Sequence, residues 1–106
     1  MVWKIKIKLD REELVALADL YTAMRDMYQP DGDHETLIIL CATDMEIKIR
    51  RNAGLTKPRA LEMTAGEACA FAQLWGPMTR ETMSAYCYSI ILKICAAIDQ
   101  AYKMIG

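Results

Sequence analysis

The sequence has no excess of charge of either sign. Thirteen basic and fourteen acidic residues leave a formal charge of −1, so the field of the whole chain draws in neither nucleic acid nor an anionic membrane. A secretory leader is not expected, because Lys4, Lys6 and Lys8 interrupt the N-terminal apolar residues one by one. The longest apolar run, Ile90 to Ile98, is broken by Lys93 and falls short of the ~20 residues a spanning helix needs. There is no phosphate-binding loop, dinucleotide fingerprint or hydrolase elbow. Histidine occurs once, at His34, beside a turn and with no cysteine, serine or paired carboxylate in a local arrangement that signals catalysis.

Cysteine is scarce in a different sense: the four residues Cys41, Cys69, Cys87 and Cys95 form no close pair. Zinc sites commonly use ligands separated by two to four residues. Cys87 and Cys95 are eight apart, roughly 12 Å of helical rise. Each cysteine lies in an apolar helical pattern, so the expectation is buried, reduced thiols in a cytoplasmic protein. No metal, cofactor or small-molecule ligand is expected, and no enzymatic activity.

What the chain does have is apolar content. At 106 residues and 54% hydrophobic, it exceeds the average of about 45–50%. One domain spanning residues 1–106 is expected, with apolar surface left over for another subunit or partner.

The chain also repeats a pattern. A shift of 54 positions lays Leu9-Asp10-Arg11-Glu12-Glu13 over Met63-Thr64-Ala65-Gly66-Glu67. Downstream, Ala16 falls on Ala70, Ala18 on Ala72, Leu20 on Leu74, Tyr21 on Trp75, Met24 on Met78, and Cys41-Ala42 on Cys95-Ala96. Two halves, 1–54 and 55–106, follow.

In the first half, Trp3, Ile5, Ile7 and Leu9 alternate with the three lysines, which is the period of a strand with one buried face. Asp10 and Glu13 form a capping box, and Leu14, Leu17, Ala18, Tyr21, Met24 and Tyr28 fall on one helical stripe. The run Gln29 to Asp33 carries turn residues. From His34 to Arg51 two readings compete. Leu37, Leu40, Cys41, Asp44 and Lys48 suit a helix, which the repeat register favours. A hairpin of Thr36–Cys41 with Met45–Arg51 is the alternative, but it lacks an Asn-Gly or Asp-Gly turn.

In the second half, Ala60 to Met63 reads as a strand, Thr64 and Glu67 as a second capping box, and Ala65–Trp75 as a helix with Ala68, Phe71, Ala72 and Trp75 as its apolar stripe. Thr79 caps a final helix, Arg80 to Ile105, of roughly 38 Å, broad in its apolar arc and the expected spine. The fold class is therefore α+β, mostly helical, in a β-α-α-β-α-α internal repeat. Its two-stranded antiparallel sheet is covered by four helices and depends on that cover. Glu62 is placed to meet the lysine row.

Candidate surfaces are two. Trp75, Tyr86, Tyr88 and Tyr102 exceed what so small a monomer buries easily, and mark a partner interface, simplest as a homodimer. Lys4, Lys6 and Lys8 with Arg50, Arg51, Lys57 and Arg59 are the basic concentrations. With Trp3 at their edge they offer a nucleic-acid surface, or else a solvated face and a helix C-terminus complemented by cations. Eight methionines suit either an adaptable binding surface or irregular core gaps. The local acids Asp10/Glu12/Glu13 and Asp44/Glu46 are explained by capping and a solvated helix face.

The stretch LEMTAGEACAFAQLW and the later ILKICAAIDQAYK resemble small bacterial proteins of unassigned role found among accessory genes of mobile elements. The resemblance covers roughly the last half of the chain. It implies a bacterial cytoplasmic setting and carries neither a function nor a catalytic residue with it. The surplus apolar residues themselves lead to the expectation of a non-enzymatic interaction or accessory module that self-associates through an apolar helix face.

Overall fold

The computed structural model describes residues 4–27, 32–75 and 83–105, without the side chains of residues 27, 34, 35, 104 and 105. Six elements follow one another: β1 (Lys4–Ile7), α1 (Arg11–Met27), α2 (Asp33–Ala53), β2 (Leu61–Thr64), α3 (Ala65–Trp75) and α4 (Ala85–Ile105). The fold is α+β and mostly helical, with four helices and one two-stranded antiparallel sheet. Trp3, Tyr28 and the expected cap Thr79 lie outside the described residues.

Alternation in β1 does what its period requires. Ile5 pairs with Met63 and Ile7 with Leu61 across the sheet, and all four are buried. The opposite face is wet, and there Glu62 meets Lys4 at 3.3 Å and Lys6 at 3.8 Å. These pairs stand in water, where screening leaves them little weight; the buried face holds the sheet to the helices.

Both expected capping boxes form. The Asp10 N–H donates to Glu13 Oε1 (3.1 Å) and the Glu13 N–H to Asp10 Oδ1 (2.8 Å). Thr64 and Glu67 repeat the exchange at 2.9 and 3.2 Å. Each box satisfies orphan donors of a helix start. Each glutamate also reaches a lysine of another helix: Glu13 to Lys93 on α4 at 3.4 Å, and Glu67 to Lys48 on α2 at 3.1 Å.

Residues 34–51 are helical throughout, which removes the hairpin. Ile38, Ala42, Met45 and Ile49 turn inward at three- and four-residue steps, a helical period, and the hairpin's tip, Thr43-Asp44, is not the Asn-Gly or Asp-Gly pair that a tight turn favours. Gly32 precedes the helix at φ +98°, a conformation that favours glycine. Its carbonyl accepts from the Thr36 N–H and hydroxyl at 3.1 and 2.9 Å. The stripe expected on this helix is corrected, however. Leu37, Leu40 and Cys41 face outward, because the apolar run Leu37–Cys41 surrounds the helix and packing on α1 and α3 selects the other side.

α1 is the central helix rather than α4. Leu14, Leu17, Ala18, Tyr21 and Met24 are buried, and α1 packs most extensively on α2 while also touching α4. α4 is shorter than expected. Met83 sits in a bend, and Ser84 caps the helix at Ala85, its hydroxyl accepting the Cys87 N–H at 3.2 Å. In α3, Leu74 rather than Ala72 completes the buried set with Ala68, Phe71 and Trp75. Met24, Met45 and Met63 are core residues.

A loop, residues 54–60, joins α2 to β2 and is held from two sides. The Arg11 guanidinium donates to the carbonyls of Ala53, Leu55 and Thr56 at 3.1, 2.6 and 3.1 Å. The Asn52 side chain donates to the Arg59 carbonyl and accepts its N–H, both at 2.7 Å.

Candidate interaction surfaces

The aromatic set does not form one surface. Trp75 is 3% exposed and lies in the core, edge to face with Tyr21 at a centroid distance of 5.3 Å and 87°. Its Nε1 has no hydrogen-bond partner among the described residues. Tyr86 and Tyr102 are 48% and 62% exposed but lie sixteen residues apart, toward opposite flanks of α4, and Tyr88 is half-buried. The surplus inferred from four large aromatics is thus smaller than the sequence suggests, because a stack absorbs the largest.

The basic residues divide as well. Lys4 and Lys6 are engaged by Glu62. Arg50 belongs to a polar network between α1 and α2. Its Nε donates to Glu46 Oε2 at 3.0 Å, and another nitrogen donates to Thr22 at 2.9 Å and pairs with Asp19 at 3.4 Å. The Glu46 carboxylate, 7% exposed, also accepts from the Thr22 hydroxyl at 3.0 Å. Arg25 stands 3.2 Å from its other oxygen as a charge contact without hydrogen-bond alignment. Hydrogen bonding to Glu46 raises the Arg50 pKa further above its ordinary value.

Lys8, Lys57 and Arg59 do come together. With Arg11 and Lys93 they line an open cleft of about 980 Å³, whose acids are Asp10 and Glu13. Arg51 and Arg59 border a neighbouring hollow of about 320 Å³. The void between α2 and α3, under Tyr21 and Phe71, is about 10 Å³, room for one water at most.

The thiols are corrected. Cys41 and Cys69 are exposed and Cys87 and Cys95 half-buried, all free. Cys41 and Cys95, which fall on each other in the 54-position shift, differ in exposure. Burial, with Asp99 adding to it, raises the Cys95 pKa. No group of three metal-ligating side chains occurs among the described residues. The side chain of His34 lies outside them. No helix among them is long and apolar enough to cross a membrane.

A surface the sequence reading missed lies on α2. Leu37, Leu40 and Ile47 are 60%, 57% and 47% exposed, on the side opposite the buried Ala42 and Ile49. Asp33, Leu37, Leu40, Asp44, Ile47 and Arg51 follow at steps of four, three, four, three and four, and all six are exposed. That is the spacing of a two-helix seam. The signal was present in the sequence, hidden because Ile38 and Ile39 interleave with it and make both sides of the helix apolar.

No protein-family model, curated protein or solved structure matches the chain.

Proposed function

We propose that the protein is a non-enzymatic interaction or accessory module, cytoplasmic and of bacterial type, that self-associates through an apolar helix face. That face is the outer side of α2. The observation that carries this reading is the seam spacing of exposed Leu37, Leu40 and Ile47. Three branched side chains in one stripe, each about half in water, stand to gain on the order of 1 kcal/mol apiece when covered. Tyr86 and Tyr102 act as outlying contacts at most, and Trp75 serves the core. The test is sedimentation velocity of the wild type against a Leu37→Glu/Leu40→Glu variant. The wild type is expected to associate as concentration rises and the variant to stay monomeric with unchanged helix content. Equal association of the two removes the α2 face from the proposal.

The internal repeat belongs to the same reading. Ile7 pairs with Leu61 and Tyr21 stacks on Trp75; both pairs are 54 positions apart, so each residue touches its own counterpart, as residues beside a pseudo-twofold axis do. The two capping boxes stand at the same offset. The helices differ more, since α1 packs extensively on α2 while α3 and α4 touch little.

The cleft that gathers Lys8, Lys57 and Arg59 favours a second reading, a nucleic-acid-binding regulator. Binding of an oligonucleotide is then expected to weaken steeply with salt and to be abolished by Lys8→Glu/Arg59→Glu. Salt-insensitive binding, or none, removes it.

A further inference from the structure

We infer that the occupant of the α2 face is a second copy of this chain, laid antiparallel about a twofold axis level with Ala42, so that Asp33 of each copy meets the partner's Arg51. This rests on the α2 face being the working surface and adds its partner, orientation and register.

Charge order along the seam selects this pairing. Read from its N-terminal end, the stripe runs acid, Leu37, Leu40, acid, Ile47, base, with Asp33 first and Arg51 last. Those ends are 18 residues apart, roughly 27 Å of helix. A parallel pairing about a twofold axis sets Asp33 on Asp33, Asp44 on Asp44 and Arg51 on Arg51, like charge on like charge at three levels. An antiparallel pairing level with Asp44 stacks the two Asp44 carboxylates and sets Leu37 against the partner's Arg51. Moving the axis to the level of Ala42 resolves both conflicts. Asp33 then faces the partner's Arg51 at both ends, Leu37 faces the partner's Ile47, and only Leu40 against the partner's Asp44 is mismatched.

Among the described residues neither Asp33 nor Arg51 makes an ion pair. Both also suit their own helix ends, an acid in the first turn and a base in the last. That preference accounts for their signs but not for their places on the apolar stripe. The stripe is one helix wide, so the interface belongs at the small end of specific contacts, under roughly 1,200 Å² in total. Association is accordingly expected at protein concentrations on the order of tens of micromolar.

The experiment is a charge-swap cycle read by sedimentation equilibrium. Asp33→Arg alone and Arg51→Asp alone each place like charges at both ends of the seam, and each is expected to weaken association about tenfold. The double variant restores opposite charges and is expected to return to within about threefold of the wild type. Circular dichroism on each variant shows whether the helix is intact. If Asp33→Arg unfolds the start of α2, Arg51→Asp set against the charge-conserving Arg51→Lys gives the comparison from the other end: the first is expected to weaken association and the second to keep it, and equal association of the two overturns the register. Singles that weaken with no rescue in the double overturn the register. Singles without effect, while Leu37→Glu still dissociates the protein, overturn the register and leave the α2 face standing. Loss of effect in the leucine variant as well overturns the face itself. A wild type that stays monomeric well above that range overturns the self-pairing.

Discussion

Tyr21 and Trp75 meet edge to face in the core, ring centroids 5.3 Å apart and planes at 87°. The contact ties the middle of α1 to the end of α3. It buries the Tyr21 phenol, and that burial raises its pKa well above the ordinary 10.0, the neighbouring indole lowering it only in part and without a completed hydrogen bond. An aromatic pair of this geometry contributes about 0.5–1.5 kcal/mol beyond the area it buries.

An alkaline weakness follows. The unfolded phenol ionises near 10.0 while the folded one stays protonated. The contribution of the buried phenol is therefore full below the unfolded value and is lost as pH rises toward the folded one, at about 1.4 kcal/mol per pH unit. Urea unfolding followed above pH 10 is expected to show this slope, and Tyr21→Phe to flatten it. An unchanged slope in the variant contradicts the burial.

At the acid end the relevant group is Glu67. Burial pushes its carboxyl up, but the Thr64 N–H and Lys48 outweigh that and hold it below its ordinary 4.5. Such a group stabilises the fold above the unfolded value, and the contribution is lost as pH falls through the folded one. Unfolding midpoints measured below pH 4.5 are expected to fall less steeply in Glu67→Gln than in the wild type, although the variant starts from lower stability at neutral pH.

The α1–α2 contact depends on Glu46. Glu46→Ala leaves Arg25, Arg50 and the Thr22 hydroxyl without their shared acceptor. Both arginines are partly exposed and rehydrate, so the loss is expected at about 1–3 kcal/mol in denaturant unfolding rather than the larger cost of a fully buried pair. An effect under about 0.5 kcal/mol, the range of ordinary surface substitutions, contradicts the network's role.

Thiol reactivity reports the corrected burial. In dilute native protein, Cys41 and Cys69 are expected to react first with a maleimide and Cys95 last, its thiolate disfavoured by burial and Asp99. Peptide mapping gives the order. Cys95 labelling as fast as Cys69 contradicts it.

The mismatched level of the seam makes its own prediction. Asp44 faces the partner's Leu40, so Asp44→Leu is expected to tighten self-association by about tenfold. Weaker association in that variant contradicts the pairing.

Much of this architecture was legible because the deciding interactions are local. Alternation fixed β1, and the acid three residues past Asp10 and Thr64 fixed two helix starts. The pairing of Lys4 and Lys6 with Glu62 followed from strand register. Which side of α2 faces inward was not legible, since Leu37, Ile38, Ile39 and Leu40 give both faces an apolar claim and only α1 and α3 decide between them. Cys41 was misplaced for the same reason. Arg50 read as a free cation, because Asp19 and Thr22 reach it from another helix, although Glu46 stood four residues before it. Trp75 read as surplus because its partner lies 54 positions away.

The most direct measurement is crosslinking at Cys41. In the proposed pairing the two Cys41 side chains lie on the same flank near the axis, with Cβ atoms about 8 Å apart given helix axes 8–10 Å apart. That is too far for a disulfide but within reach of a short bismaleimide. Treated at concentrations where the protein associates, the wild type is expected to give a Cys41–Cys41 linked dimer. The product is expected to vanish on dilution, in Cys41→Ser and in Leu37→Glu, and to persist in Cys69→Ser. Absence of that product from an associated wild type, or links formed through Cys69 instead, contradicts the account.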